Sequence, residues 1–460
     1  MIMQNPMNDW TRAFLQVAFL AALLAGTPAM AQDVLLRGGT VLTVTNGTLE
    51  NADVLIESGK ITGVGSGLRA PRGVEVVDAS GKFIMPGIID AHAHIALSSI
   101  NEGSSPVTAE VRMEDVTNPY HLGIYRALAG GVTTSHIMHG SANVIGGQNE
   151  TIKHRWGFSD PDAIRFDGAP RTIKFALGEN PTRVHGRRGS GGTGAIVPAT
   201  RMGVEQVLRD AFEEGKRYME AWDAFNASTD PRAIPPVYNE RSGIMADILR
   251  GDILVHCHSY RADEILMLLR VLEDYGVERI TFQHANEAFK VAPELAAYGA
   301  MASVFADWWS YKFEVYYSTA WNAAILTRNG VRTSINSDSG ELNRHLYHEA
   351  AKTQRYGDLT DDEALALITI NPAIQLGIQD RVGSIEVGKD GDVAVFSAHP
   401  LSIYAIAEQT YVDGVRYFDR TNDPDDMRLE ISPSARLDTF MEQEGHVHEE
   451  EVAHIQDVEK

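Results

Sequence analysis

Two histidines separated by one residue, His92 and His94, close an apolar run that begins at Ile88. If that run is a β-strand, alternation sends both imidazoles to one side, where they can share a cation. Three further apolar runs end in similar residues. Residues 253–258 end in His256-Cys257-His258, residues 280–284 end in Gln283-His284, and residues 332–336 lead into Ser337-Asp338-Ser339. His92, His94, His256, His284 and Asp338, at the ends of four separate runs, are hard to explain as packing. Imidazole and carboxylate without cysteine suit zinc or another divalent first-row ion. The one cysteine, Cys257, excludes an internal disulfide and a Cys-rich metal site.

Those side chains can meet only if the runs lie parallel in one sheet. Strand-like runs at 83–95, 131–138, 172–177, 253–258, 280–284, 301–306 and 332–336 alternate with helical patterns such as 204–225, 262–275 and 361–370. Near-continuous apolar strands between helices predict a parallel sheet covered on both sides. Seven or eight such units over residues 83–377 fit a (β/α)8 TIM barrel, with its chemistry at the C-terminal strand ends. A doubly wound open sheet is the alternative. Residues 180–200, rich in Gly and Arg, and 226–238 break the rhythm and are expected to be loops over the site. Short hairpin-like strands at 34–44, 53–61 and 383–396 predict a small β-sandwich domain built from the flanks 32–82 and 378–420.

The chain has 460 residues, 44% hydrophobic and 22% charged, with a net charge of −22. This composition excludes a disordered or fibrous chain, and the acidity argues against a nucleic-acid partner. Residues 421–460 carry twelve acids and three bases, and include His446, His448 and His454. They read as a solvated tail, or as a weak scavenger of zinc or copper. At the other end, Arg12 precedes an apolar run over residues 13–26, followed by Ala29-Met30-Ala31. This pattern predicts a Sec-type signal peptide over residues 1–31, cleavage before Gln32, and a bacterial periplasmic or secreted protein. The run is too short to span a bilayer, so no stable membrane insertion is expected after cleavage.

The signature Pro86-Gly87-Ile88-Ile89-Asp90-Ala91-His92-Ala93-His94 resembles that of the amidohydrolase superfamily. Gly131-Val132-Thr133-Thr134, Thr369-Ile370-Asn371-Pro372-Ala373 and the Gly383 to Asp392 segment reinforce it over nearly the whole mature chain. Within the superfamily the chain looks like the branch of imidazolonepropionase-related enzymes and binuclear Xaa-Pro-type dipeptidases. The resemblance implies two divalent ions, zinc first among them. His92, His94, Lys174 and Asp338 would hold one, and Lys174, His256 and His284 the other. Lys174 would bridge as a CO2-derived carbamate, with Glu179 as the rival bridge. Asp338 would act as general base and then general acid around a metal-activated hydroxide. Superfamily deaminases usually place a Glu three residues after the fifth-strand histidine, and Ser259 stands there. That departure favours hydrolysis of a C–N bond in a small amide or dipeptide over a mononuclear deaminase or cyclic-amide hydrolase. A catalytically dead metal-binding protein is the remaining reading, and the complete ligand set argues against it.

Substrate contacts are assigned more thinly. His258 and Tyr260 follow the fifth strand; Gln148 and Asn149 follow the second, at the expected barrel mouth. Arg183, Arg187 and Arg188 lie in the Gly-rich segment and could grip a carboxylate, and Trp308, Trp309 and Tyr311 could wall an apolar pocket. Relatives often pair, so a homo-oligomer is compatible with the sequence.

Overall fold

The computed structural model describes residues 33–188, 198–309, 311–424 and 426–429. The signal segment 1–31 and the tail histidines His446, His448 and His454 lie outside the described residues.

The N-terminal flank forms β1 (Val34–Leu42), β2 (Thr48–Glu57), β3 (Lys60–Gly65), β4 (Glu75–Asp78) and β5 (Phe83–Pro86). β2 and β3 pair antiparallel through the turn Ser58-Gly59, where both residues take positive φ (51° and 78°). A two-residue turn of this hand matches the right-handed twist of its strands. The central domain supplies β6 (Ile88–Ala93), β7 (Val132–Ile137), β8 (Ile145–Lys153), β9 (Arg171–Ala176), β10 (Ile253–Ser259), β11 (Ile280–His284), β12 (Met301–Val304) and β13 (Thr333–Ile335). The C-terminal flank adds β14 (Val393–Phe396), β15 (Ala407–Val412) and β16 (Val415–Asp419).

β6 to β13 follow one another in a single eight-stranded sheet that nearly closes into a (β/α)8-like barrel. At the seam, the Asp338 amide donates to the His92 carbonyl at 2.9 Å, and the Ser337 hydroxyl donates to buried Asp90 at 2.5 Å. The strands are buried on both faces, as expected of a sheet packed inside a coat of helices. One of those helices, Ala262–Tyr275, buries Ile265, Leu268, Leu269 and Leu272, which recur at helical spacing, and stops at Gly276 in the left-handed conformation.

The structure corrects three expectations. Residues 83–95 are two strands, not one: β5 pairs with β1 and β14 in the flanking sheet, and only β6 belongs to the barrel. The break falls at Gly87, where a Cβ would lie 2.1 Å from Thr133 Oγ1. Second, the stretch expected as a mouth loop after β7 is irregular only through Val144, and from Ile145 it is the antiparallel strand β8, which pairs with both β7 and β9. Its glycines admit close neighbours, since a Cβ on Gly147 would lie 2.7 Å from Val111 Cγ2. Third, the expected Gly-rich loop begins as a helix, Glu179–Arg188. Pro181 sits in its first turn, where the missing N–H costs no intrahelical bond. The second expected loop is irregular beyond the long helix Arg201–Ala227, which takes its first two residues.

The flanks form one mixed sheet in which β5 and β1 join the two ends of the chain. That sheet is tied to the barrel by charge. Lys153, the last residue of β8, is fully buried, with its ammonium 2.6 Å from Asp390, 3.1 Å from Asp392 and 2.5 Å from Asp413.

Candidate metal centre

Alternation along β6 directs His92 and His94 to the same side, with their Nε2 atoms 3.3 Å apart. Asp338, just beyond β13, places Oδ1 at 3.3 Å from His92 Nε2 and 2.9 Å from His94 Nε2. Its Oδ2 lies 3.6 Å from His284 Nε2 at the end of β11. Lys174, fully buried on β9, reaches His92 Nε2 at 3.1 Å. Four strand ends thus deliver five side chains to one point. The parallel register of β9 and β10 sets His256 directly opposite Lys174.

Two of these residues hold unusual backbone. His284 has φ 65° and Asp338 φ 46°. Left-handed conformations cost a non-glycine residue about 1–3 kcal/mol and persist where the surroundings over-determine them. At Asp338 the carbonyl of His92 receives the backbone amide, so the seam of the barrel fixes this carboxylate over the histidine pair.

The electrostatics favour neutral imidazoles, the form that ligates a cation. Burial holds His92 and His256 well below the usual histidine range and brings His284 down to about 3. Burial also brings the Lys174 ammonium down to about 8, which makes the neutral amine accessible near neutral pH. Burial opposes ionisation of Asp338, but the adjacent His284, His92 and His94 hold its carboxyl well below the ordinary value. Asp90 is pushed up to about 7 by burial despite hydrogen bonds from Ser337 and the His92 amide.

The donor set fits a divalent ion by an independent criterion. His92 Nδ1, His256 Nε2 and both ring nitrogens of His258 and His284 are buried without a hydrogen-bond partner. Such orphaned groups are costly in a dry interior unless something else satisfies them. His94 is oriented by the Met138 carbonyl, 3.1 Å from Nδ1, which leaves Nε2 turned to Asp338. The Gln283 amide lies 3.0 Å from His256 Nδ1 and sets that ring in the same way. By contrast, His136 also faces the interior, but both its nitrogens have partners, Thr172 Oγ1 and the Ala91 carbonyl.

Among the expected substrate residues, two adjoin the cluster. The His258 ring lies 4.7 Å from His284, and the buried Tyr260 ring stacks on His284 at 5.5 Å. Gln148 does not lie at the mouth. It pairs with Ile173 across β8 and β9, so it points away from Lys174, and its Oε1 accepts from Arg171 at 3.0 Å. Asn149 faces inward instead and donates to Thr172 Oγ1 at 3.2 Å. Arg183 sits on a helix and pairs with Glu179 at 3.2 Å. Glu179 also meets Lys312 at 3.6 Å, so the rival bridging carboxylate is engaged in ion pairs of its own. The side chains of Arg187 and Arg188 lie outside the described residues.

Sequence reasoning assigned no role to Asp90, Gln283, Asn286 or Phe305. Asp90 had a signal, since it shares the strand face of His92 two residues on. Phe305 stacks on His284 at 4.8 Å, and Trp308 stacks on Phe305 at 4.5 Å.

Comparison with known proteins gives this arrangement a context. Residues 253–417 match the amidohydrolase family model. An amidohydrolase from Thermotoga maritima superposes with a TM-score of 0.77 at 35% identity, over 84% of this chain and 100% of that one. The amidohydrolase tasK of Hapsidospora irregularis is 32% identical over 80% of this chain, which spans 40% of that protein's length. A 5-methylthioadenosine/S-adenosylhomocysteine deaminase from Symbiobacterium thermophilum is 24% identical over 79% of this chain and 85% of its own.

Proposed function

The chain belongs to the amidohydrolase family, and on that premise we propose that it hydrolyses a C–N bond of a small amide or dipeptide at a two-metal centre. The observation that carries this reading is the convergence on His92 Nε2, with His94, Lys174 and Asp338 all within 3.3 Å, beside buried imidazole nitrogens that have no partner. His92, His94, Lys174 and Asp338 would hold one ion, and Lys174, His256 and His284 the second, with zinc the first expectation. Lys174, once carboxylated by CO2, would supply an anionic ligand to both. Its burial and depressed pKa support that role over Glu179, whose carboxylate is taken by Arg183 and Lys312. When bound, such ions polarise the substrate carbonyl and acidify water.

The chain's own residues do the rest. Asp338 sits on the histidine pair with 18% of its side chain exposed, so it can take a proton from the attacking water and return it to the leaving amine. Its strained backbone and the His92 carbonyl keep the carboxylate aimed. Tyr260 and Phe305 both stack against the His284 ring, at 5.5 and 4.8 Å, and hold its orientation. The deaminase alternative lacks its usual glutamate, since Ser259 occupies that position and is fully buried.

The same reading takes the flanking sheet as a two-layered sandwich over residues 32–82 and 378–420. One apolar cluster holds Val34, Val54, Ile61, Ile84, Val393 and Tyr411, which come from strands far apart in the sheet order. Export through the segment before Gln32 belongs to this proposal as well. The test is zinc-loaded protein screened against Xaa-Pro and other dipeptides, N-acyl amino acids and cyclic amides, with metal content measured in parallel. Hydrolysis with two ions per chain is expected. One ion per chain with ammonia released from a nucleoside would favour the deaminase.

A further inference from the structure

We propose that the cavity beside His284 is a subsite for a protonated amine, so that the preferred substrates are amides of free α-amino acids rather than N-acylated ones. This deepens the hydrolase reading and rests on it. The cavity is bounded by His284, Asn286, Asp307, Trp308, Trp309 and Ser318, among others, and offers room for about one water-sized group. An ammonium is of that size; an acylated nitrogen is not.

Within an aromatic lining of Phe305, Trp308 and Trp309, Asn286 and Asp307 supply acceptors. Asn286 is 4% exposed, and its Nδ2 donates to Ser318 Oγ at 2.6 Å and to the Trp308 carbonyl at 3.4 Å. A carbonyl can only accept, so the amide orientation is set and Oδ1 is left as a buried acceptor without a partner. Asp307 meets Lys352 at 2.8 Å, but Lys352 also serves Glu349 at 2.8 Å. Two carboxylates therefore share one ammonium, so Asp307 on the wall is not fully neutralised by it. The indole of Trp309, 47% exposed, adds a face that attracts cations. The placement suits the chemistry. In an aminoacyl amide one carbon separates the amine from the scissile carbonyl carbon, so an amine pocket must adjoin the reacting centre, as this one adjoins His284.

The experiment compares dipeptides with free and N-acetylated termini on zinc-loaded protein. Equilibrium binding of non-hydrolysable phosphonamidate analogues of both kinds is measured alongside. Acetylation should lower kcat/KM and analogue affinity by about 10- to 100-fold, the range expected for lost hydrogen bonds to a charged group. Asn286→Leu and Asp307→Asn should each shrink that ratio, and Asn286→Asp should widen it. Equal cleavage and equal binding of the free and acetylated forms would overturn the subsite and leave the hydrolase reading standing. Selective binding of the free-amine analogue with no amide hydrolysed would overturn the hydrolase reading and leave the subsite standing. Neither binding nor cleavage would overturn both.

Discussion

Replacing Lys153 by methionine removes one ammonium from a place where three carboxylates depend on it, while keeping an unbranched side chain of similar length. The three losses are unequal. Asp390 retains Arg381 at 2.6 Å and its contact with Lys60. Asp413 retains Arg155 at 2.8 Å and is 28% exposed. Asp392 is 1% exposed, and beyond Lys153 its side chain accepts only the Asp413 amide at 2.8 Å, with Oδ2 already unpartnered. The cost therefore concentrates on Asp392. Stranding a buried charge by removing its partner costs about 3–5 kcal/mol, a large share of the roughly 5–15 kcal/mol that stabilises a typical domain. The assay is urea unfolding of both proteins at pH 8 and pH 5. Burial lifts the Asp392 pKa to about 6 in spite of Lys153. Without that ammonium the pKa rises further, so the folded variant binds more protons than its unfolded chain across this window. Its stability must then recover as the pH falls, and the deficit at pH 5 should be the smaller one. Adding Asp392→Asn to Lys153→Met should restore most of the loss at pH 8. A deficit under about 1 kcal/mol, the scale of an exposed ion pair, or a double variant no better than the single one, would refute the reasoning.

Four further outcomes follow from the site. Lys174→Ala should release one or both ions and abolish hydrolysis, with partial rescue by short carboxylic acids, read by metal analysis and rate. Asp338→Asn should keep most of the metal but lose about 10²- to 10⁴-fold in kcat, the range for a missing general acid–base. Ser337→Ala leaves buried Asp90 without its hydroxyl donor and should lower stability by about 1–3 kcal/mol in thermal unfolding. Gln148→Ala should leave kcat and KM unchanged in a steady-state assay, because that side chain points away from Lys174.

The strand ends were legible because alternation is a local rule. His92 and His94, or His256 and His258, must share a side whatever surrounds them. The seven parallel strands showed equally well as apolar runs. β8 did not, because Gly146-Gly147-Gln148-Asn149 lacks the branched and aromatic residues that mark a strand. Its glycines answer to His139 and to Val111, the second of which is distant in sequence. Missing β8 also misplaced Gln148, since the side a residue faces follows from its register. The boundary inside residues 83–95 was hidden for a similar reason. β5 and β6 are both apolar, and flank and barrel are separated by pairings distant in sequence, with Gly87 packed on Thr133 at the break. The helix Glu179–Arg188 was obscured by Pro181 and Gly186, which read as loop residues although the first turn tolerates a proline. Alternation puts Asp90 on the face of His92, but its partner Ser337 and the pairing of Gln283 with His256 could not be read along the chain.

The central claim is that a carboxylated Lys174 bridges two divalent ions between His92, His94 and Asp338 on one side and His256 and His284 on the other. The most direct measurement loads the protein with zinc in the presence of ¹³C-labelled bicarbonate. It then counts ions per chain by mass spectrometry and observes the carbon resonance. Two ions per chain with one carbamate signal, both lost in Lys174→Ala, is the predicted result. Two ions without a carbamate, or a Lys174→Ala variant that retains both ions and full activity, would contradict it.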